Sequence, residues 1–236
     1  MPRRRQRISI PLVMTAVMLV AGTFWVARNW HAMPWQPLSL AEPVGPFTRM
    51  KIARLRADAP ACRRLLRGAD AGFAEAAVVD GGPSCGYSDG VLPVSSRSIA
   101  YRPATPMSCV TALGLVLWER QTVQQEARLL LGSPVVAIES LGTYNCRRIG
   151  SGSTGSLSQH ASANAIDVSA FRLADGRWIS VLNDWAGDGP EATFLRRARN
   201  GACGSFSTVL SPDYNTAHRD HFHFDQAPRG GWGVCN

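Results

Sequence analysis

The first long apolar stretch of the chain lies near its beginning. Residues 8–27, ISIPLVMTAVMLVAGTFWVA, carry no charge and are long enough to cross a bilayer as a helix. The basic stretch MPRRRQR precedes them, and the positive-inside rule keeps such a stretch in the cytoplasm. The pattern predicts a cytoplasmic N-terminus at 1–7, a transmembrane signal-anchor at 8–27, and export of the remainder. Cleavage is the alternative, although VAG at 20–22 is a poor cleavage site.

Helical periodicity is clearest in the middle of the chain. Residues 28–60 contain several prolines and no clear period, which predicts a linker after the membrane segment. From 108 to 131, apolar side chains recur at helical spacing, with Ser108 placed to cap the start and Gly132 following the end. A second helix is predicted over 190–203, because Pro190 suits a first helical turn.

Strand-like alternation follows. AIDVSAF at 165–171 alternates apolar and polar positions, and RWISVL at 177–182 follows the ADG turn as its expected hairpin partner. VVAIES at 135–140 has the apolar content of a buried strand, and HFHFD at 221–225 is predicted as a final strand. Strands mixed with two helices predict one α+β domain over 61–236, with a small antiparallel sheet flanked by helices.

Four of the five histidines lie in two short segments, SQHASANAIDVS at 158–169 and AHRDHFHFD at 217–225. In an extended HFHFD, His221 and His223 share one face, while the phenylalanines share the other and suit the core. A single strand histidine is usually a surface or hydrogen-bonded residue, and an H-x-H pair alone is weak evidence. The two segments together predict a metal site, because two histidines and one carboxylate leave a fourth position for water, as in catalytic zinc sites.

The carboxylate of Asp167 strengthens this interpretation. Asp167 stands within the predicted strand AIDVSAF, between Ile166 and Val168. A carboxylate held among buried residues needs a partner, and a cation is a suitable one.

Composition and charge exclude one class of function. The chain is 45% hydrophobic and 18% charged, which is ordinary for a globular protein. Its net charge is +8. Arg3, Arg4, Arg5 and Arg7 contribute four of these charges. The remaining excess suits an anionic polymer or surface. No basic stripe interleaved with aromatic residues is present, so we expect no nucleic-acid partner.

The cysteines indicate an oxidising compartment. An even number of them follows the membrane segment, which predicts up to three disulfides; they are Cys62, Cys85, Cys109, Cys146, Cys203 and Cys235. Sequence proximity alone suggests the pairs Cys62–Cys85, Cys109–Cys146 and Cys203–Cys235.

The two histidine segments resemble the zinc motifs of the lysostaphin, D-alanyl-D-alanine carboxypeptidase and hedgehog superfamily, where S-x-H-x-x-G-x-A-x-D precedes a distal H-x-H or E-x-x-H. More closely, residues 61–236 resemble the extensin-like C-terminal domain family of bacteria. That resemblance includes YNCR at 144–147, DW at 184–185, TVLSPDYN at 208–215 and the cysteines. One departure is Ala163, where the superfamily pattern has glycine; alanine disfavours a positive φ angle.

The resemblance implies a role for each site residue. His160, Asp167 and His223 correspond to the metal ligands, with Zn²⁺ as the expected cofactor. His221 resembles the non-ligand histidine that assists catalysis, and His218 matches an additional histidine of the murein endopeptidases.

Two residues compete for the role of catalytic base. Asp220 lies three residues before His223, where carboxypeptidase relatives carry a catalytic glutamate. Strand parity places Asp220 on the face opposite His223, which favours His221; a bend before the strand would reverse that preference.

Further residues are predicted to support the site. Arg147 is a candidate for binding a substrate carboxylate or an oxyanion, and Ser158 for a hydrogen bond near the site, although each is also compatible with an ordinary surface or loop role. Asn164 is expected to orient a ligand or to accommodate a turn. Asp225 is expected to orient an imidazole, or to be a surface acid.

The resemblance implies a zinc-dependent peptidoglycan peptidase, with a DD-endopeptidase acting on D-amino-acid cross-links as the first expectation. A DD-carboxypeptidase is the second, and a non-catalytic zinc-containing module that binds or regulates the cell wall is the rival class. The expected partners are peptidoglycan peptides and, through the N-terminal helix, the inner membrane. The expected location is single-pass in the inner membrane, with the C-terminal domain in the periplasm. Another metal, such as manganese or iron, also suits two histidines and an aspartate.

Overall fold

The computed structural model describes residues 10–69, 72–94, 99–229 and 232–236. The predicted cytoplasmic segment at 1–7 lies outside these residues. The α-helices are α1 Ile10–Arg28, α2 Thr48–Arg54, α3 Ala59–Gly68, α4 Cys109–Trp118, α5 Gln124–Glu126, α6 Val181–Asp184 and α7 Pro190–Ala202. The strands are β1 Phe73–Glu75, β2 Val79–Asp80, β3 Gly86–Tyr87, β4 Gly90–Pro93, β5 Ala100–Arg102, β6 Met107–Ser108, β7 Val135–Gly142, β8 Ala165–Leu173, β9 Trp178–Ser180, β10 Thr208–Leu210, β11 Phe222–Asp225 and β12 Val234–Cys235.

The principal sheet has seven strands among the described residues, in the order β12-β10-β11-β8-β7-β5, with β9 pairing to β8. β10, β11, β8, β7 and β9 pair antiparallel along this path. The predicted hairpin of β8 and β9 is present, although its second strand ends at Ser180, where α6 begins. The mixed α+β class is therefore confirmed.

The expectation of a small, strictly antiparallel sheet was wrong. Both outer strands of the principal sheet run parallel to their neighbours, β5 to β7 and β12 to β10. β5 and β7 run in the same direction, and the chain between them includes the long helical segment that begins with α4. Such a crossover can join parallel strands, whereas a short hairpin turn joins antiparallel ones. A three-stranded sheet, β1-β4-β6, and a two-stranded sheet, β2-β3, lie apart from the principal one.

The helix predicted at 108–131 forms the centre of the core. The Ser108 hydroxyl accepts a hydrogen bond from Thr111 N at 3.3 Å, and the helix stops where Gly132 adopts a left-handed conformation with φ 69°. Between these ends, the π-helical segment Glu119–Val123 joins α4 to α5, and a second one, Ala127–Leu131, follows α5. Every residue of α4 is buried, because the helix lies between other helices and the aromatic face of the sheet. Trp118 contacts Phe224 with a centroid distance of 5.1 Å.

Three disulfides connect the cysteines, as expected, but two of the proposed pairs were wrong. The bonds are Cys62–Cys109, Cys85–Cys146 and Cys203–Cys235. Sequence proximity failed because packing brings α3 beside the start of α4. The Cα atoms of Cys62 and Cys109 consequently lie 6.1 Å apart, within bonding reach.

The residues between the apolar helix and the domain are folded. Residues 29–58, where the sequence predicts a linker, contain α2 and pack on the domain, with Met33, Leu38, Leu40 and Ile52 buried. α1 itself has 19 residues, a mean hydropathy of 2.0 and no buried residue. Length and composition thus make α1 a candidate membrane span or signal segment.

A buried acid lies at the end of α4, remote in sequence from the histidine segments. Glu119 is 5% exposed and accepts a short hydrogen bond from the Tyr101 hydroxyl. Burial raises the pKa of Glu119 from 4.5 to about 8, and the charge of Arg120 offsets only part of this effect. The carboxyl is therefore protonated in the folded protein at neutral pH.

We predict that Glu119 makes the fold less stable as pH rises from 4.5 to about 8. In that window the unfolded chain releases the proton while the folded protein retains it, so the free energy of unfolding falls, by about 1.4 kcal/mol for each unit of pKa difference. Denaturant unfolding at a series of pH values measures this slope. Glu119→Gln keeps a neutral hydrogen-bonding group and is expected to flatten it.

Glu75→Gln is the matched control, because the Glu75 side chain is 60% exposed and its replacement leaves the slope unchanged. An equal slope in the native chain and in Glu119→Gln would show that Glu119 is not the titrating group.

Candidate metal centre

Strand pairing places two of the predicted ligands side by side. β11 pairs antiparallel with β8, and His223 is directly opposite Asp167. Directly opposed residues point to the same face of a sheet, so both side chains reach one site. Phe222 and Phe224 point to the other face and are completely buried, which confirms the expected alternation. Packing of the phenylalanines thus fixes which way His223 faces.

The third predicted ligand comes from a short turn before β8. His160 lies in the 3₁₀ helix Gln159–Ser162, and Ser158 caps this helix by accepting a hydrogen bond from His160 N at 3.3 Å. The turn closes at Ala163, which has a left-handed conformation with φ 51°. For an L-residue this conformation costs roughly 1–2 kcal/mol. The structure therefore places Ala163, where the superfamily pattern has glycine, in a backbone conformation that glycine adopts more easily.

His160, Asp167 and His223 converge on one point. His160 Nε2 lies 3.2 Å from Asp167 Oδ1 and 3.2 Å from His223 Nδ1, and His223 Nδ1 lies 2.9 Å from Asp167 Oδ1. The ligand atoms all lie within 4.8 Å of one another. His160 is 3% exposed, and the other two are partly buried. The donors come from three separate positions in the sequence.

The second nitrogen of each ring has its own partner. His160 Nδ1 is 3.0 Å from the carbonyl oxygen of Thr143, which can only accept, so Nδ1 carries the hydrogen. In the same way, His223 Nε2 donates to Asp225 Oδ2 at 3.1 Å. These assignments follow from the hydrogen-bond partners. They leave His160 Nε2 and His223 Nδ1 as the nitrogens that face Asp167. These nitrogens donate to the carboxylate when protonated and would offer their lone pairs to a metal ion.

The electrostatics of the centre follow from burial and close pairing. Burial raises the pKa of Asp167, but hydrogen bonds from His160 and His223 and their charges outweigh it and hold the pKa well below its ordinary value. Burial lowers the pKa of His223, but Asp167 and Asp225 outweigh it and raise that pKa to about 9. Without another cation, His223 therefore holds a proton that a metal ion would displace.

The donor set fits a divalent metal ion. Two imidazole nitrogens and one carboxylate oxygen are ligands that zinc accepts, and donors about 3 Å apart suit an ion bound at about 2 Å from each. Three protein donors leave a further coordination position. The same set is compatible with other first-row divalent metals.

Two more predicted residues flank these donors. His221 Nδ1 is 2.9 Å from Asp220 Oδ1, so Nδ1 donates and Nε2 keeps its lone pair. That Nε2 atom lies 3.7 Å from Asp167 Oδ1. Asp220 therefore orients His221 toward the centre. The hydrogen bond from His221 holds the pKa of Asp220 below its ordinary value.

His218 extends the histidine cluster outward. Its Nδ1 donates to Asn215 Oδ1 at 2.7 Å, and its ring centroid lies 5.2 Å from that of His221. Burial lowers the pKa of His218 to about 4, helped by the charges of His221 and His223. His218 is thus a neutral hydrogen-bonding group at neutral pH.

The remaining candidates lie around the turn that carries His160. Ser158 is buried and its hydroxyl bonds within the turn. The Asn164 amide donates to Gln226 O at 3.0 Å. This hydrogen bond joins the start of β8 to the end of β11. Arg147 is partly buried, and its charge contributes to the lowered pKa of His218.

Some contributions to the site carry no signal in the sequence. The Thr143 carbonyl is a backbone group, so any residue type provides it. Asn215 lies in TVLSPDYN without a motif of its own, and its side chain accepts a hydrogen bond from His218. Asp213, in the same stretch, accepts a hydrogen bond from Trp185 Nε1 at 2.8 Å, and Trp185 contacts Phe222 at 5.4 Å. The DW and SPDYN segments therefore brace the loop that carries His218.

A polar cavity lies on another side of the His160 turn. Its volume is about 630 Å³, and its polar lining includes Arg56, Asp89, Gln159, Ser162 and Asn164. None of the three candidate ligands lines it, so it is separate from the metal centre.

A family model, described as Extensin-like protein C-terminus, matches residues 60–236. This range includes every candidate site residue and all six cysteines. No curated protein and no solved structure matches the chain.

We predict that Asp225→Asn weakens zinc binding about 10- to 100-fold, because the carboxylate that orients His223 and increases its basicity is lost. Isothermal titration calorimetry or competition with a chromophoric chelator measures the Kd. Asp188→Asn, a substitution at an exposed position, is the control and retains the native Kd. Native affinity in Asp225→Asn, with the fold intact by circular dichroism, would contradict the orienting role.

Proposed function

The chain belongs to the extensin-like protein C-terminus family, and from this premise we propose that it is a membrane-anchored, exported zinc peptidase acting on peptidoglycan peptides. Its most suitable reaction is DD-endopeptidase cleavage of D-amino-acid cross-links. Cleavage of a terminal D-alanine, as by a DD-carboxypeptidase, is the second candidate. Membership of the lysostaphin and carboxypeptidase superfamily is part of the same proposal.

The observation that carries the proposal is the convergence of three donor atoms with a fourth, non-ligand histidine beside them. His160, Asp167 and His223 supply the donors. His221 Nε2 faces the same centre while Asp220 holds its other nitrogen. A purely structural zinc site fills its coordination with protein ligands, whereas this one combines an open position with an oriented base.

Each residue has a definite task in amide hydrolysis. When bound, a divalent metal supplies Lewis acidity, which activates water and polarises the scissile carbonyl. His221 Nε2 accepts the proton from the attacking water and then delivers it to the nitrogen of the leaving amine. Asp220 stabilises the imidazolium that exists between these steps, because its carboxylate accepts the hydrogen bond from Nδ1.

This arrangement supports His221 over Asp220 as the base. Asp220 lies beyond His221 as seen from the centre, and its carboxylate is engaged with His221 Nδ1. His218, neutral and next to His221, is suited to accept a hydrogen bond from the substrate at Nε2, because its N–H at Nδ1 is donated to Asn215. Arg147 is suited to bind a substrate carboxylate.

The proposed location is the inner membrane, with the domain in the periplasm. α1 is long and apolar enough to cross a bilayer, and the three disulfides suit an oxidising compartment. In that compartment, peptidoglycan is a polymer that a membrane-anchored domain can reach.

We predict chelator-sensitive cleavage when the oxidised, zinc-loaded protein is incubated with purified cross-linked muropeptides. Conversion of dimers to monomers, followed by mass spectrometry, identifies a DD-endopeptidase, and loss of one terminal alanine identifies a carboxypeptidase. No product despite stoichiometric zinc would refute the peptidase and favour a non-catalytic module that binds or regulates the wall.

His223→Ala and His221→Ala separate the ligand role from the base role. His223→Ala is expected to lose both zinc and activity, because a donor atom is removed. His221→Ala is expected to retain most zinc but lose turnover by at least about 100-fold, the lower range for a general acid–base group. Cleavage by the His223 variant would show that the ligand assignment is wrong.

A further inference from the structure

We infer that residues 29–58 are a strap that holds the domain directly on the bilayer surface, with Trp30 and Trp35 inserted among the lipid headgroups. This inference rests on the proposed function only in requiring that α1 spans the membrane. It concerns the position of the domain and is independent of zinc binding and peptidase activity.

The strap begins without a free stretch of chain. α1 ends at Arg28, and the Asn29 side chain caps it by donating to Trp25 O at 2.8 Å. The 3₁₀ helix Trp30–Ala32 follows at once, and Met33 after it is 2% exposed. The membrane helix therefore leads straight into folded structure.

The first residues of the strap are bound to α2, a helix later in the strap whose Ile52 belongs to the hydrophobic core. Lys51 Nζ donates to His31 O at 2.7 Å, and the Arg54 guanidinium donates to Pro34 O. Ile52, on the same helix, is completely buried. These contacts fix the first residues of the strap to an element that cannot separate from the domain without exposing the core.

Further contacts join the middle of the strap to the helix that follows α4. Gln121 accepts a hydrogen bond from Val44 N at 2.5 Å and donates one to Glu42 O at 2.7 Å. Leu38 and Leu40 belong to the hydrophobic core and are 8% and 7% exposed. Detaching the strap would expose both leucines to water, which opposes its release.

Attachment shortens the reach of the domain. Thirty residues of extended chain would span up to roughly 100 Å, so a free tether would allow the site to move far from the membrane. When the strap is bound to the domain, these thirty residues are not available as an extended tether. The site is therefore confined to the space next to the bilayer.

The exposed aromatic residues of the strap identify the surface that faces the lipid. Trp30 is 47% exposed and Trp35 is 57% exposed, and their rings meet edge to face with centroids 5.8 Å apart. Trp30 lies two residues after the end of α1, at the start of the 3₁₀ helix. Tryptophan prefers the interface between headgroups and acyl chains because its ring is apolar and its N–H needs a polar partner. A lipid bilayer is thus the occupant that suits this pair.

The test uses the full chain in vesicles of phosphatidylethanolamine and phosphatidylglycerol, with lipids brominated either near the headgroup or near the bilayer centre. Trp30→Phe and Trp35→Phe are each expected to remove a part of the fluorescence that headgroup-proximal bromines quench. Trp178→Phe is the matched control, because Trp178 is 48% exposed on the domain, and it removes only unquenched fluorescence. Equal loss of unquenched fluorescence in all three variants would overturn the inference.

Trypsin tests attachment of the strap in the same vesicles. In the native chain, cleavage after the basic residues Arg49, Lys51, Arg54 and Arg56 is expected to be slow, because the strap is attached. Leu40→Asp places a charge at a buried position and is expected to accelerate that cleavage at least tenfold. Ser39→Asp places the same charge at an exposed neighbour and leaves the rate unchanged. Fast cleavage of the native strap would show that it is a free tether.

Failure of the premise has its own signature. If alkaline carbonate releases the chain from the vesicles, α1 is not a membrane span, and both the anchoring and the strap are wrong. If the chain is retained but the tryptophans are not quenched, the anchor stands and the docked strap alone is wrong.

Discussion

The pairing of β8 with β11 is the constraint on which the candidate site depends. Its antiparallel register places Asp167 directly opposite His223, and burial of Phe222 and Phe224 determines which face the histidine shares with the carboxylate. A shift of one residue would exchange the two faces, placing the phenylalanines toward the site and the ligands in the core. Core packing and metal-ligand geometry are therefore two consequences of one register.

Hydrogen bonds outside the donor set complete what the register begins. The Thr143 carbonyl and the Asp225 carboxylate each occupy one ring nitrogen, so the other nitrogen of each ligand is available to the centre. Asp220 does the same for His221 without adding a ligand. The turn that positions His160 retains a left-handed alanine at 163, an energetic cost that the surrounding packing tolerates.

The folded segment between α1 and the domain connects location with function. A peptidase on a long flexible tether would sample much of the wall. A domain whose strap buries Ile52 in the core and bonds to Gln121 stays where α1 holds it. If α1 spans the membrane, the proposed chemistry is therefore performed at the membrane surface, on peptides that come to it.

The sequence by itself determined the local features: the apolar helix, the capped helix after Ser108, the alternation in HFHFD, and the residue types of the site, because these depend on spacing along the chain. Only the tertiary structure decided which cysteines meet, since Cys62 reaches Cys109 through the packing of α3 on α4. The parallel outer strands, the folded strap and the ring orientations set by Thr143 and Asp225 were likewise decided by contacts between distant segments. Periodicity reports which face of an element is buried; it does not report what that face is buried against.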